Sequence, residues 1–244
     1  MNEDKIQLTL EDFPDDIYIL LEDDFRAKFF KTAWKINKSY RHLAMEIGVS
    51  NPVMLSWRRG KINSTNQDQF CPVWAIKEII DYSKHSSEWK FDLGEVQKHI
   101  KAVRCRAGNY KIYNVKLPIY DSLELRALVT HLICDGSALN EKHRTSKYAS
   151  TSLETINEFK EKLSIFGNIP NLIIREENYT NHYLKCYILN FSKAITKILT
   201  KKFNIDFRGE KARLPKEFFE GERKFLIAIV RTFLIDEGCI RDRT

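Results

Sequence analysis

Leu128-Val129-Thr130-His131-Leu132-Ile133-Cys134-Asp135-Gly136 and Val230-Arg231-Thr232-Phe233-Leu234-Ile235-Asp236-Glu237-Gly238 lie about a hundred residues apart and close in the same way. Each is an apolar run at helical spacing that ends on an acidic residue and then a glycine. An acid at the carboxyl end of a helix opposes the helix dipole, and glycine is the usual residue just past such an end. One such ending is ordinary helix termination. Two of them, with matching elements in between, predict a pair of packed helices that bring Asp135 and Glu237 to one point. Two carboxylates at one point are what a divalent cation needs to be held against a phosphate.

Between the two runs the pattern alternates. Residues 138–150 are polar and extended and carry Lys142, His143, Arg144 and Lys147. Thr151-Ser152-Leu153-Glu154 reads as a capping box opening a helix through Ile156, Phe159, Leu163 and Phe166, which Gly167 closes. Asn171–Glu177 and His182–Asn190 read as two strands around a turn. Ser192 opens a further helix with Ile195, Ile198 and Leu199, and Pro215 lies in the connector before the second run. The expected order from 123 is helix, strand, strand, helix, strand, strand, helix and then the second acidic helix. That is an α+β arrangement with helices on one face of an antiparallel sheet.

Upstream the periodicity is helical. Phe25, Phe29, Phe30 and Trp34 recur at helical spacing, Pro72 opens a helix through Ile76 and Ile80, and Gly94 precedes one holding Val96, Ile100 and Val103. The sequence therefore predicts an acidic segment over 1–24, an all-helical domain over 25–105, an extended linker over 106–121 and a second domain over 122–244. Within the helical domain, Tyr40 to Trp57 has apolar or small residues at its fourth, fifth, eighth, tenth, fifteenth and eighteenth positions. Gly48 stands at the ninth, where a turn between two helices favours a left-handed backbone. Ser50 follows as an N-cap, and Pro52 is acceptable in a first helical turn.

The Tyr40–Trp57 pattern, with Val49-Ser50, Leu55-Ser56-Trp57 and Arg59-Gly60-Lys61, resembles the helix-turn-helix of the Cro/CI-type repressors over about residues 30–82. The resemblance implies that the second helix enters the major groove of DNA. Ser50, Asn51 and Ser56 would face bases, and Arg58, Arg59 and Lys61 bases or phosphates. The two acidic runs resemble the LAGLIDADG motif of homing endonucleases. Lys147-Tyr148 with Ser150-Thr151-Ser152, and Arg213-Leu214-Pro215 before the second run, resemble that family's surrounding steps. Threonine stands at 130 and 232 where the family has glycine or alanine.

This second resemblance implies an αββαββα half, motif helices packed at a pseudo-two-fold axis, and a sheet that grips DNA. It assigns Asp135 and Glu237 as the catalytic and metal-binding acids, with magnesium as the ion. Strand residues Lys142, His143, Arg144, Lys147, Arg175, Tyr183 and Lys185 would be the DNA-facing set. The chain would be a sequence-specific DNA endonuclease with one full half and a second motif helix, its remaining half absent or supplied by a second copy. The alternatives are a non-catalytic transcription regulator, an inactivated remnant and a maturase-like RNA binder. His131, inside the first run, reads as a packed core histidine.

Charge and composition agree with a polyanionic partner. The chain carries +7 overall; residues 1–24 hold nine acids against Lys5, a net of −8, so the rest carries +15. A basic body favours nucleic acid. The five cysteines (Cys71, Cys105, Cys134, Cys186, Cys239) are odd in number and form no C-x-x-C pair, which argues against a disulfide framework or a zinc site. The acidic N-terminus does not read as a signal peptide, and no apolar run approaches the ~20 residues that span a bilayer. A soluble, cytoplasmic protein with no membrane partner is the expectation.

Overall fold

The computed structural model of the chain describes residues 6–62, 65, 67–106, 110–137, 144–178, 185–207 and 212–237. The fold is α+β, with small antiparallel sheets between helices. Among the described residues no helix is long and apolar enough to cross a membrane.

The acidic N-terminal segment is built into the fold. It supplies β1 (Gln7–Leu8) and β2 (Ile17–Leu21). Leu8, Leu10, Phe13, Ile17 and Ile19 are almost fully buried. Its acids meet cations: Asp15 bonds Lys77 at 3.1 Å, Asp12 bonds Lys202 at 3.2 Å, Asp16 bonds Lys197, and Glu22 bonds His99 at 2.9 Å. Part of the charge asymmetry is thus consumed within the molecule.

Helices α1 (Asp23–Asn37), α2 (Tyr40–Glu46), α3 (Asn51–Arg59) and α4 (Val73–Ser83) follow, with the short strand β3 (Cys71–Pro72) before α4. Leu43, Ala44, Ile47, Met54 and Trp57 are all buried, as the helical pattern requires. Gly48 turns the chain between α2 and α3 at φ 73°. Ser50 occupies the N-cap of α3, although its hydroxyl makes no capping bond.

The all-helical expectation for this part needs correction. The helix after Gly94 stops early: α5 covers Leu93–Gln97 and the chain continues as β4 (Ile100–Cys105). Ile100, Ala102, Val103 and Cys105 satisfy both a helical and an extended reading. Pairing decides between them, because β4 lies against β2 with Ile19 opposite Val103. β5 (Ile112–Tyr113) pairs on the other side of β4, giving a sheet of order β3-β2-β4-β5. β6 (Ile119–Tyr120) pairs with β1 and Tyr113 bridges to Asn168, so the stretch expected as a linker is hydrogen-bonded to both flanks.

From there the elements run α6 (Leu123–Cys134), β7 (Gly136–Ser137), β8 (Ser146–Ser150), α7 (Leu153–Lys162), β9 (Ile174–Asn178), β10 (Lys185–Phe191), α8 (Lys193–Phe203) and α9 (Arg223–Asp236). The sheet order is β7-β8-β10-β9. The N-cap of α7 is Ser152, one residue later than the capping-box reading; its hydroxyl accepts from Thr155 N at 3.2 Å. Tyr148, Leu189 and Phe191 bury the inner face of this sheet against Ile156 and Phe159 of α7.

One buried cation fixes the end of α3. Arg26 of α1 donates from Nε to the Arg58 carbonyl at 3.2 Å, from Nη2 to the Arg59 carbonyl at 3.2 Å and from Nη1 to the Leu21 carbonyl at 3.1 Å, while pairing with Asp23 at 2.6 Å. It thereby satisfies carbonyls that a helix end leaves without partners. Gly60 closes the helix at φ 69°, and a Cβ there would collide with the Arg26 guanidinium. Replacing Arg26 with Ala strands three carbonyls and is expected to destabilise the chain by about 2–4 kcal/mol. The urea midpoint measures this; an unchanged midpoint would remove the capping role.

Candidate functional site

The two acidic runs form α6 and α9, which pack directly against each other. Thr130 and Thr232 are buried at the crossing, and each hydroxyl donates back along its own helix. Thr130 Oγ1 reaches the Arg126 carbonyl at 2.8 Å and Thr232 Oγ1 the Ala228 carbonyl at 2.9 Å. Neither hydroxyl therefore needs a partner across the interface, which explains how threonine is tolerated there. At the amino end of α6, Arg126 pairs with Asp121 at 2.7 Å and donates to the Phe218 and Glu220 carbonyls at 2.6 and 3.1 Å. That guanidinium ties α6 to the segment leading into α9.

The carboxyl ends of the two helices meet. Asp135 closes α6, its N–H donating to the His131 carbonyl at 3.0 Å; Glu237 closes α9, its N–H donating to the Phe233 carbonyl at 2.8 Å. Asp135 is half-buried and its carboxyl is pushed up to about 6, chiefly by burial and then by the negative charges of Asp236 and Glu237. The Cys134 thiol is pushed up to about 12 by burial and by the same acids together with Asp135. The charge of Glu237 thus reaches Asp135, the other acid of the predicted pair. Glycine at 136 is a steric requirement, because a Cβ there would collide with the backbone of Leu132.

The structure adds three residues that the sequence pattern did not assign to the site. The Asp236 carboxylate is fully buried. It lies 2.9 Å from His131 Nδ1 and accepts from the Tyr148 hydroxyl at 2.8 Å. His131 is buried, as expected, yet it is not merely packing: it links α6 to the last residue of α9. Its ring meets Tyr148 and Phe159 edge-on, while its Nε2 has no hydrogen-bond partner. Burial first, then the charge of Asp236, drives the Tyr148 hydroxyl well above the usual tyrosine range, so it stays a donor. His131 in the first run and Asp236 in the second were the available signal; their separation of 105 residues hid the pairing.

Among the described residues, no group of three or more His, Cys, Asp or Glu is arranged to hold a metal ion. Asp236, the buried acid, is engaged by His131 and Tyr148; Glu237 is exposed. A metal at this place would have Asp135 and Glu237 as its protein ligands.

The nucleic-acid candidates divide. Ser50, Arg58, Arg59 and Lys61 are exposed on or beside α3. Arg58 stacks over the Tyr40 ring at 4.9 Å, and Lys61 pairs with Asp68 at 2.7 Å. Asn51 and Ser56 are half-buried; Ser56 Oγ donates to the Val53 carbonyl at 2.7 Å, and the Asn51 Oδ1 is buried without a hydrogen-bond partner. In the C-terminal sheet, the pairings Lys147 with Asn190 and Arg175 with Ile188 put Lys147 and Arg175 on the outer face. Lys185 does not join them. Its register matches the opposite face, and it pairs with Glu176 at 2.9 Å. Arg144 is exposed just before β8, whereas Lys142, His143 and Tyr183 lie outside the described residues.

The raised Asp135 carboxyl has a stability consequence. Its folded value lies above its ordinary 3.8, so between pH ~4 and ~6 the folded chain binds more protons than the unfolded one. Stability therefore falls as pH rises through that window and stays reduced above it. Asp135→Asn is expected to raise the melting temperature at pH 7.5 and to have little effect at pH 4. The gain is on the order of 1 kcal/mol once solvent screening of this partly open group is counted. Calorimetry at both pH values measures it; a destabilised variant at pH 7.5 would contradict the uncompensated charge. Comparison of the chain with family models, with curated proteins and with solved structures finds no match.

Proposed function

We propose that this chain is a sequence-specific DNA-binding protein of LAGLIDADG-endonuclease type. In this reading α2 and α3 act as a helix-turn-helix, residues from α6 to α8 as one αββαββα half, and Asp135 and Glu237 as paired metal-binding acids. The observation that carries the reading is the meeting of two acid-tipped helix ends at a buried crossing. Supporting it, the left-handed turn at Gly48 separates two short helices with buried apolar positions, and Arg58, Arg59 and Lys61 stand exposed at the end of the second.

The donor set fits magnesium. Two carboxylates are hard oxygen donors, and this ion takes one or two carboxylates from the protein while phosphate and water complete its shell. Asp135 pairs with no cation among the described residues, so its half-buried charge is uncompensated. When bound, the ion would polarise a phosphate oxygen and acidify a water for attack. Asp135 and Glu237 would hold it, while Lys147 and Arg175 on the outer sheet face would hold the backbone beside the cut.

The second reading, a regulator that binds DNA without cutting it, is favoured by one observation. Of the two acids that end α9, the better-buried one is engaged by His131 and Tyr148, which leaves a two-carboxylate set.

Incubating the protein with a pooled random-sequence DNA library and magnesium, against a calcium control, separates the two readings. Magnesium-dependent cuts at a long recurring site are expected, with Asp135→Asn and Glu237→Gln abolishing cutting but not binding. Selective binding without cuts would establish the regulator, and cutting that persisted in both variants would overturn the assignment of the acids. Arg58→Ala with Arg59→Ala is expected to weaken binding and to flatten its salt dependence by about two counterions. Unchanged affinity would remove α3 from the interface.

A further inference from the structure

The N-terminal sheet has two unlike faces. Ile17, Ile19, Leu21, Val103, Cys105 and Ile112 turn into the main core. On the other face, the register sets Tyr18 opposite Arg104, Leu20 opposite Ala102 and Ala102 opposite Tyr113. Phe70, which precedes β3, packs there with Leu20 and Ala102 in a small cluster separate from the main core. Two cations lie over the Phe70 ring, Arg104 at 4.5 Å and Lys111 at 5.5 Å. Tyr18, Arg104, Lys111 and Tyr113 are each half-exposed.

This face holds positive charge without the acids that would normally balance it. Neither Arg104 nor Lys111 forms a salt bridge among the described residues, and the Arg104 Nε is buried with no hydrogen-bond partner. Holding a partly desolvated guanidinium beside an aromatic ring without a carboxylate costs stability. Asp68, on which Lys111 acts, is already engaged by Lys61. That hydrogen bond, with Lys111 and Lys101 acting from further off, holds the Asp68 carboxyl below its usual range.

Backbone pairing joins this face to the end of α3. The Gly60 carbonyl accepts from Gln69 N at 2.8 Å, and Lys61 forms a β-bridge with Asp68, two residues before Phe70. Basic side chains thus run from Arg58 and Arg59, past Lys61 and Lys101, to Lys111 and Arg104, with Asp68 and Asp23 as the acids among them.

We propose that this open sheet face is a second nucleic-acid contact. It takes the phosphate backbone of the duplex that continues past the segment seated at α3, with Arg104 and Lys111 as the charged donors and the Tyr18 and Tyr113 hydroxyls beside them. The proposal rests on the reading that the partner of α3 is DNA. Phosphate is the occupant that fits, because the face offers donors and positive charge and continues the basic track of α3.

The test uses the full chain and a fluorescein-labelled random-sequence duplex of about 30 base pairs, with a single strand of the same composition beside it. Anisotropy titrations over a range of salt give the slope of log affinity against log salt, which becomes shallower by about one for each phosphate that the protein no longer neutralises. Arg104→Gln with Lys111→Gln is expected to flatten the duplex slope by about two, with folding confirmed by its melting curve. Lys111→Gln alone, a change to a half-exposed side chain, is expected to flatten it by about one and serves if the double variant does not fold.

A folded variant with the wild-type slope overturns the inference. So does a weakening seen with the single strand and not with the duplex, which would assign the face to unpaired nucleic acid. If Arg58→Ala with Arg59→Ala flattens the slope and the sheet variants do not, this inference falls and the proposed function stands. If only the sheet variants flatten it, the face holds phosphate without any segment seated at α3, and the inference as stated falls together with the role of α3. Wild-type protein that binds no duplex overturns both.

Discussion

The Asp236 carboxylate, seated between His131 Nδ1 and the Tyr148 hydroxyl, is the interaction on which the central geometry depends. A carboxylate at the end of α9 is repelled by the helix dipole and, once buried, loses its water. Two donors from two other elements offset both costs. Their geometry also decides where α9 can stop, because His131 belongs to α6 and Tyr148 to β8. Removing either partner would leave a buried charge uncompensated, which is far more damaging than losing a surface pair. At the opposite end of the crossing, Arg126 grips the Phe218 and Glu220 carbonyls. The helix pair is thus pinned at both ends, and Asp135 and Glu237 inherit their proximity from those pins.

Much of this was legible in the chain. The two acidic runs became α6 and α9, and the buried positions of Tyr40–Trp57 became α2 and α3, because helical periodicity is written into a single segment. The sheet of the N-terminal part was not legible for the opposite reason. Ile100 to Cys105 suits a helix or a strand equally by local pattern, and the choice is made by β2, some eighty residues earlier. The same non-local logic hid the His131–Asp236 pair and moved Lys185 off the face shared by Lys147 and Arg175. Where a residue's role depends on register or on a distant partner, side-chain identity alone does not carry it.

The acidic N-terminal segment illustrates how charge statistics mislead. Read as composition, 1–24 is an acidic segment beside a basic body. In the fold, its apolar residues Leu8, Leu10, Phe13, Ile17 and Ile19 are core, and its acids form ion pairs with lysines of α4 and α8 and with His99. The alternation of buried apolar and paired acidic residues makes the segment a strap. It touches α4 through Lys77, α8 through Lys197, Lys201 and Lys202, and β6 through β1.

If the chain binds DNA as proposed, that strap would make the molecule a caliper. Its bonds run from the helices around α3 to the helices and strands beyond residue 110, so the distance between the end of α3 and the paired ends of α6 and α9 is fixed by protein rather than left to a loose tether. A duplex touched at both places would have to present its two contact regions at one spacing and one rotational phase. About five base pairs inserted between them, half a helical turn, would carry the second region to the far side of the duplex. Selectivity of that kind is read from length, and no side chain needs to meet a base to enforce it.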